Sequence, residues 1–488
     1  MFCTAEAVIC TATYRAEIEA ALQIVRQAAL LARRIQAEMI FPRADRAGRS
    51  DDLYPLEQAG YTSLGAISKN DRSPVTVADF AIQALVSHRL MEAFPADPLV
   101  AEEDSSALRD SPLLDQVTGF VSSLVSAATA TAVCEWIDRG HTDYSINPQS
   151  SINNLQSTMS RYWLLDPIDG TKGFLRGGRY SSPGQYAVAL ALMVDGRPQV
   201  GVLGCPNLKM DATDRTTSDA GEADAHRAVI CTAEAVICTA EAVICTAAYR
   251  ADACRGQAYR DAAGSLVIAA RGQGTWVTSL EEEVDTVHRE GGGRPLDGAY
   301  HDDKSAHGVR PLGKPTEGGR PPPLQAGFSN EQVGTRQPGD ARYCGDARYC
   351  VSTRLQVSER GDPAQARLLR SFEAGHTNVD QLSQFAAALG IQAEPVLMDS
   401  QVKYAVLAAG QGDLMLRLLS PQQPNYREKA WDQAAGSLVV EEAGGRATDL
   451  DGKPFDFSAG RELIHNRGVL VSNGRLHEAA LQALKTIA

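Results

Sequence analysis

The sequence predicts a protein of alternating strands and helices, α/β with some α+β character, carrying long low-complexity inserts. Three observations lead to that expectation. Between Tyr14 and Ile40 apolar side chains recur at Ile18, Leu22, Val25, Ala29, Ala32 and Ile35, which is one stripe of a helix. Apolar runs from Tyr186 to Val194 and from Pro198 to Leu203 flank Asp195-Gly196, a dipeptide that favours a tight hairpin. Beyond Arg354 helical and strand patterns take turns, as they do when helices cover a sheet.

The remaining elements follow in order. A helix is expected from Val77 to Phe94, with Phe80, Leu85, Val86 and Leu90 toward a core. Leu99-Val100-Ala101 and Tyr162-Trp163-Leu164-Leu165 read as short strands that run straight into carboxylates. Leu266-Val267-Ile268 and Trp276-Val277 read as strands around Gly272 and Gly274. Asn378 is suited to cap a helix through Leu382, Phe385 and Leu389 that stops at Gly390. Strands are expected at Val396 to Met398, Leu414 to Leu418 and Val469 to Val471. Helices are expected from Trp431 to Ala443, closed by Gly444-Gly445, and from Leu476 to Ile487.

Two stretches lack such patterning. Residues 206–263 contain the unit CTAEAVI at Cys231 and Cys238, begun again at Cys245, with an isolated copy at Cys3. The seven-residue period admits a coiled-coil seam, but under three heptads without charge pairs fits a plain duplication better. Residues 281–350 are rich in Gly, Pro and Arg, including Gly291-Gly292-Gly293 and Pro321-Pro322-Pro323. Both are expected to be disordered surface inserts, because such compositions bury too little apolar surface to order the chain. The expected organisation is an N-terminal α+β lobe over 1–350 and a C-terminal α/β lobe over 351–488.

Composition narrows the function classes. The chain has 488 residues, 44% hydrophobic and 22% charged, with a formal charge of -13 at pH 7. That surface argues against nucleic-acid binding, which relies on clustered Lys and Arg. It leaves room for a small phosphorylated ligand, since metal ions invert the sign of an acidic pocket. No run of eighteen apolar residues suggests a membrane span. Residues before Arg15 carry no basic charge, and the ten cysteines form no CxxC pair. The expectation is a cytoplasmic protein, monomeric, with reduced thiols.

The informative residues are acidic and stand where strands end. Glu102 follows Leu99-Val100-Ala101, Asp166 and Asp169 follow Trp163-Leu164-Leu165, and Asp432 follows Trp431. Gathered carboxylates repel unless a cation neutralises them, and hard divalent cations such as magnesium require oxygen ligands. In Asp166-Pro167-Ile168-Asp169-Gly170-Thr171 the proline forces an extended or turn geometry, so the two acids can face one way across a tight loop. The Ile168 carbonyl then becomes available as a neutral ligand. The amides of Gly170 and Thr171 are placed to donate to phosphate oxygens. Each piece alone has an ordinary reading: DPxDG is common turn chemistry, an acidic triplet is a solvated run, and Asp suits a helix start.

Taken together, LVAEEDS at 99–105, WLLDPIDGTKGFLRG at 163–177 and WDQAAGSLVVEEAGG at 431–445 resemble the inositol monophosphatase superfamily of lithium-sensitive, magnesium-dependent phosphatases. The match covers 14–205, 264–280 and 351–488 and looks like the bisphosphate-nucleotidase branch. The resemblance implies a layered αβαβα sandwich shared with fructose 1,6-bisphosphatase. It also implies two or three magnesium ions held by Glu102, Asp166, the Ile168 carbonyl, Asp169 and Asp432. SPVTVADFAIQ at 73–83 matches the segment whose acid, here Asp79, works with Thr171 to orient and deprotonate the attacking water. His376, Ser400, Lys403 and Arg417 match positions that contact the nucleotide and its 5′-phosphate, beside Gly170, Thr171 and Asp432. The chain departs from the branch in a longer loop over Gly178 to Gln185, and in Ala430 and Gln433 where Ile and His are usual.

The expected reaction is release of the 3′-phosphate from adenosine 3′,5′-bisphosphate, and from its 5′-phosphosulfate analogue, by metal-activated water. Two alternatives stay open from the sequence: an inositol or fructose phosphatase of the same superfamily, and a nucleotide-binding regulator without turnover.

Overall fold

Arg15–Ile40 forms the first helix, α1, and every residue of the predicted stripe along it is buried. The computed structural model describes residues 13–40, 66–68, 74–141, 160–177, 184–210, 264–281, 353–372, 378–420 and 423–487. All of them belong to one compact unit, 1–282 with 349–488; the other unit, 283–348, lies outside the described residues. The CTAEAVI repeats lie outside them as well.

A small hairpin, β1 (Ala66–Ser68) with β2 (Pro74–Thr76), leads into α2 (Val77–Ala93). Thr76 caps this helix, accepting from the Ala78 N–H at 3.1 Å, while Asp79 at the third helical position accepts from the Thr76 N–H at 2.7 Å. That reciprocal pair is a capping box. Three helices that the sequence patterns do not announce follow β3 (Leu99–Ala101): α3 (Ser106–Arg109), α4 (Leu113–Ser122) and α5 (Ala130–Arg139). Their buried stripes are short, such as Val133, Trp136 and Ile137 on α5.

The next strand departs from expectation. Instead of stopping at Leu165 before a tight loop, β4 runs from Arg161 to Asp169. Its register against β5 (Ala187–Val194) shifts where Asp166 pairs with Ala189 and Asp169 with Ala187. Pro167 and Ile168 therefore oppose the single residue Val188, a bulge. A proline has no N–H to give a ladder, so the strand skips it and resumes. A six-residue helix, α6 (Thr171–Arg176), follows directly.

The predicted hairpin joins β5 to β6 (Arg197–Cys205). Asp195 and Gly196 have φ of 50° and 70°, the left-handed pair that a type I′ turn requires. The sheet continues through β7 (Ser265–Ala270), β8 (Gly274–Ser279) and β9 (Thr353–Leu355), giving the order β3-β4-β5-β6-β7-β8-β9. Only β3 and β4 are parallel within it. Cys205, Ser265 and Ser279 stand in register at one end of the sheet.

The second sheet has the order β11-β10-β12-β14-β13. Its strands are β10 (Leu368–Arg370), β11 (Val396–Leu397), β12 (Leu414–Arg417), β13 (Arg446–Thr448) and β14 (Val469–Ser472). Four helices accompany it: α7 (Val379–Leu389), capped by Asn378 and closed by Gly390 as expected, α8 (Val402–Ala408), α9 (Ala434–Glu442) and α10 (His477–Ile487). The helix expected from Trp431 begins only at Ala434, so Asp432 stands in the turn before it.

Strand periodicity explains how the layers assemble. Trp163, Leu165, Leu190 and Val202 point to one face of the first sheet and meet α1 and α2. Tyr162, Leu164, Ala189 and Leu203 point to the other and meet α8 and α9, whose far sides pack on Met415, Val469 and Val471 of the second sheet. Leu414, Leu416 and Leu470 on its outer face meet α7 and α10. The result is the αβαβα sandwich. Strand β6 needs glycine on both faces: a Cβ on Gly201 would lie 2.9 Å from the Ala435 carbonyl of α9. One on Gly204 would lie 2.8 Å from the Val25 side chain of α1. No helix among the described residues is long and apolar enough to cross a membrane.

One buried titratable group ties the last layer to pH. His477 is fully buried, with its ring nitrogens 2.9 Å from Ser472 Oγ and 3.0 Å from Thr448 Oγ1. Burial, reinforced by Arg446, lowers its pKa to about 4. The unfolded chain binds this proton below about pH 6.5 and the folded chain does not, so stability is lost as pH falls through that window. Urea titrations at pH 7 and pH 5 are expected to differ by about 2 kcal/mol more in wild type than in His477→Gln. Equal losses in the two proteins would refute the assignment.

Candidate active site

The acids foreseen in the sequence converge on one cavity of about 220 Å³, lined by Glu102, Asp166, Ile168, Asp169, Gly170, Thr171 and Asp432 on its acidic side. Glu102 is delivered by the end of β3, and its backbone is fixed from behind. Gln83 of α2 accepts from the Glu103 N–H at 3.0 Å and donates Nε2 to the Ile137 carbonyl at 2.9 Å. The β4 bulge lets Asp166 and Asp169 both reach the cavity. Asp166 is 2% exposed, and its Oδ1 has no hydrogen-bond partner among the described residues.

The charges press on one another. Burial first, then Glu102, Asp169, Asp432 and Asp79, push the Asp166 pKa well above the carboxylate range. Burial raises that of Asp169 too, against the opposing pull of Lys403 and of the Gln401 N–H, which donates to Asp169 Oδ2 at 2.6 Å. Burial and Asp169 raise that of Asp432 to about 8, with Arg417 opposing. A divalent cation relieves such a set, and the donors fit magnesium: all are oxygens, one is an orphaned buried carboxylate oxygen, and the Ile168 carbonyl adds a neutral ligand. Among the described residues no three acidic, His or Cys side chains are already closed about one point.

Asp79 does not line the cavity. It lies buried behind it, with Oδ2 accepting from Thr76 Oγ1 at 2.6 Å and Oδ1 accepting from Thr171 Oγ1 at 3.3 Å. The same hydroxyl lies 3.2 Å from the Ile168 carbonyl. The capping box thus serves two purposes, starting α2 and aiming one carboxylate oxygen at Thr171. Gly170 has φ of +87°, and a Cβ there would stand 2.8 Å from that of Ser400, so the acidic loop and the opposite wall are in close contact.

The opposite wall is cationic. Ser400, Lys403 and Arg417 line the cavity, and His376 lies outside the described residues, as do residues 178–183 of the longer loop. Ser400 has a positive φ of 65° and its Oγ accepts from the Val402 N–H at 3.2 Å, turning the chain into α8. Lys403 Nζ donates to the Ser400 carbonyl at 2.8 Å; its burial, with Arg417 nearby, lowers its pKa despite Asp169. Arg417 Nη1 is 2.9 Å from Glu428 Oε2 and 3.6 Å from Asp432, and its guanidinium lies 4.8 Å from the Tyr426 ring.

Three contributors have roles that the sequence patterns did not give, although Asp399 and Gln401 stand in the matched segment around Ser400 and Lys403. Gln401 links the two halves of the acidic set: its N–H holds Asp169, and its side chain donates to the Trp431 carbonyl at 3.1 Å and accepts from the Gly436 N–H at 3.0 Å. Glu428 holds Arg417 and accepts from Gln433 Nε2 at 2.9 Å, while Gln433 accepts from the Tyr404 hydroxyl. Gln433 therefore uses both its donor and its acceptor. Asp399 pairs with Arg176, whose guanidinium lies 4.7 Å from the Phe372 ring. No spacing rule connects residues so far apart in the chain.

Clustered carboxylates facing Lys403 and Arg417 across one cavity suit a phosphate ester held beside metal ions. The chain belongs to the inositol monophosphatase family, whose model matches residues 52–297 and 329–488. That family generally works with magnesium. Among curated proteins the chain is 30% identical over 476 residues to a 3′(2′),5′-bisphosphate nucleotidase of Schizosaccharomyces pombe, covering 97% of this chain and 96% of that protein. It is 29% identical over 484 residues to the 3′(2′),5′-bisphosphate nucleotidase of Oryza sativa, covering 97% and 94%. Among solved structures an IMPase from Thermotoga maritima aligns over 96% of this chain and 97% of its own, with 13% identity and a TM-score of 0.44.

Proposed function

We propose that the chain hydrolyses the 3′-phosphate of adenosine 3′,5′-bisphosphate, giving AMP and inorganic phosphate, and accepts the 5′-phosphosulfate analogue. The observation that supports this best is the second, cationic wall. A single phosphate ester needs the acidic side alone, whereas a second phosphate suits Lys403, Arg417 and the Ser400 hydroxyl. Near-full-length similarity to proteins named as bisphosphate nucleotidases supports the same reading.

In this reading Glu102, Asp166, Asp169, Asp432 and the Ile168 carbonyl hold two or three magnesium ions. Bound there, the ions supply charge neutralisation and acidify water in an in-line displacement. The protein handles the proton. Thr171 Oγ1 gives its hydrogen to Asp79 Oδ1 and turns a lone pair toward the attacking water, so a water proton passes along Thr171 to Asp79. The amides of Gly170 and Thr171, and His376, add contacts to the nucleotide. The hydroxide left from water adds to phosphorus as the bond to the 3′-oxygen breaks; that oxygen takes a proton from solvent and Asp79 returns its proton to solvent, so no covalent enzyme intermediate is needed.

A panel of adenosine 3′,5′-bisphosphate, its phosphosulfate analogue, inositol 1-phosphate and inositol 1,4-bisphosphate, with and without magnesium and lithium, tests the assignment. Faster turnover of either inositol substrate overturns it, and binding of nucleotide without turnover would favour a regulator. Arg417→Lys keeps the charge beside Asp432 but loses the planar fork. It is expected to lower kcat/KM for adenosine 3′,5′-bisphosphate about 10- to 100-fold, with far less effect on adenosine 3′-monophosphate. Equal losses on both would remove Arg417 from 5′-phosphate recognition.

A further inference from the structure

The segment 461–463 lies beside 428–430. The Ala430 N–H donates to the Arg461 carbonyl at 2.9 Å, the Leu463 N–H donates to the Glu428 carbonyl at 2.9 Å, and Lys429 pairs with Glu462 at 2.5 Å. From that anchored backbone the Arg461 side chain reaches the first sheet. Its Nη2 donates to the carbonyl of Ala101 at 2.8 Å and its Nη1 to that of Gly140 at 3.3 Å. Its guanidinium also lies 4.7 Å from the centre of the Trp431 ring.

The neighbours of those contacts give them meaning. Ala101 immediately precedes Glu102, and Trp431 immediately precedes Asp432. The Gly140 carbonyl also accepts from the Ala101 N–H at 2.8 Å, so Arg461 joins a fixed corner rather than a loose end. One side chain thus spans the gap between two acids that no backbone ladder joins, one at the end of β3 in the first sheet and the other in the turn before α9. We infer that Arg461 is a positioning residue for the cation site, setting the separation of Glu102 from Asp432. Two carbonyls and an aromatic face suit a guanidinium, which offers a planar fork of donors and stacks on rings; a lysine offers a point charge.

This rests on the magnesium reading of the cavity, and the test separates the two. Free Mn²⁺ is titrated by its electron paramagnetic resonance signal into wild type, Arg461→Met, Arg461→Lys and Asp169→Asn, with thermal unfolding followed in EDTA. Arg461→Met is expected to weaken Mn²⁺ binding about 10- to 100-fold, the usual effect of losing a residue that orients a ligand, with Arg461→Lys intermediate. A merely structural arginine would lower the unfolding temperature and leave Mn²⁺ affinity within about twofold of wild type, which overturns the inference. If Arg461→Met does not fold, Arg461→Lys decides by the same criterion. If wild type binds no Mn²⁺ that Asp169→Asn removes, the magnesium reading fails and the inference falls with it.

Discussion

Asp79→Asn is expected to lower kcat by about 10²- to 10⁴-fold at saturating magnesium and substrate, the range typical of a lost general base. The geometry makes the acid hard to replace. Oδ2 accepts from the N–H and hydroxyl of Thr76, and Oδ1 accepts from Thr171. An asparagine must keep its oxygen toward Thr76, so its amide nitrogen faces the Thr171 hydroxyl, which can then only accept from it and turn its hydrogen to the Ile168 carbonyl, and the amide can take up no proton. The fold should tolerate the change, because the helix start retains the Thr76 cap; the stability cost is about 1 kcal/mol. Thr171→Val should cost a similar factor. The double variant should be no worse than either alone, since the two side chains form one relay. Asp79→Asn within tenfold of wild type would remove the relay from the mechanism.

The second large effect is on stability. Asp413 is fully buried at the start of β12, where Oδ1 accepts from Arg367 Nη2 and Oδ2 from Arg367 Nε, both at 2.8 Å, with Oδ2 also taking the Arg367 N–H at 2.8 Å. Ser358 donates to the same carboxylate. Burial works against the charge, but these donors, Arg367 foremost, hold the pKa below the ordinary value. Its stabilising contribution is therefore present above about pH 4 and is lost as pH falls through the lowered value. Asp413→Ala strands the Arg367 guanidinium beside β10 and is expected to cost about 3–5 kcal/mol. Urea unfolding at pH 7 measures it; a loss under about 1 kcal/mol would mean that water reaches Arg367 easily. Because Arg417 ends the same strand, the variant should also show weaker substrate binding.

Much of this molecule could be read before its structure was seen, where a residue's own neighbours decide its state. The α1 stripe, the Asp195-Gly196 hairpin, the Asn378 cap and the Gly390 stop depend on a few adjacent side chains, and all four formed. The acids could be found for the same reason: DPIDGT places two of them three residues apart. What stayed hidden depends on partners distant in sequence. Pro167 reads locally as a turn, yet β5 beside it recruits the chain into a bulged strand, and pairing outweighs the turn preference. α4 and α5 bury only a few residues each against α2, too few for a clear period. Gln401 and Glu428 are ordinary polar residues until the fold brings Asp169, Trp431 and Arg417 to them.

The register of the first sheet has a consequence for how this chain tolerates change. Cys205, Ser265 and Ser279 are aligned at one end of it, so the connections from β6 to β7 and from β8 to β9 both leave from there. Asp169, pairing with Ala187, ends its strand at that same end. The entropy of closing a loop rises only with the logarithm of its length, about 0.6 kcal/mol for each doubling. Duplications inserted at these two exits therefore cost little, while a single residue added inside β6 or β7 would turn every following side chain to the wrong face. Length added at this rim, beside Asp169, therefore alters a connection without moving the register of any strand in the sheet.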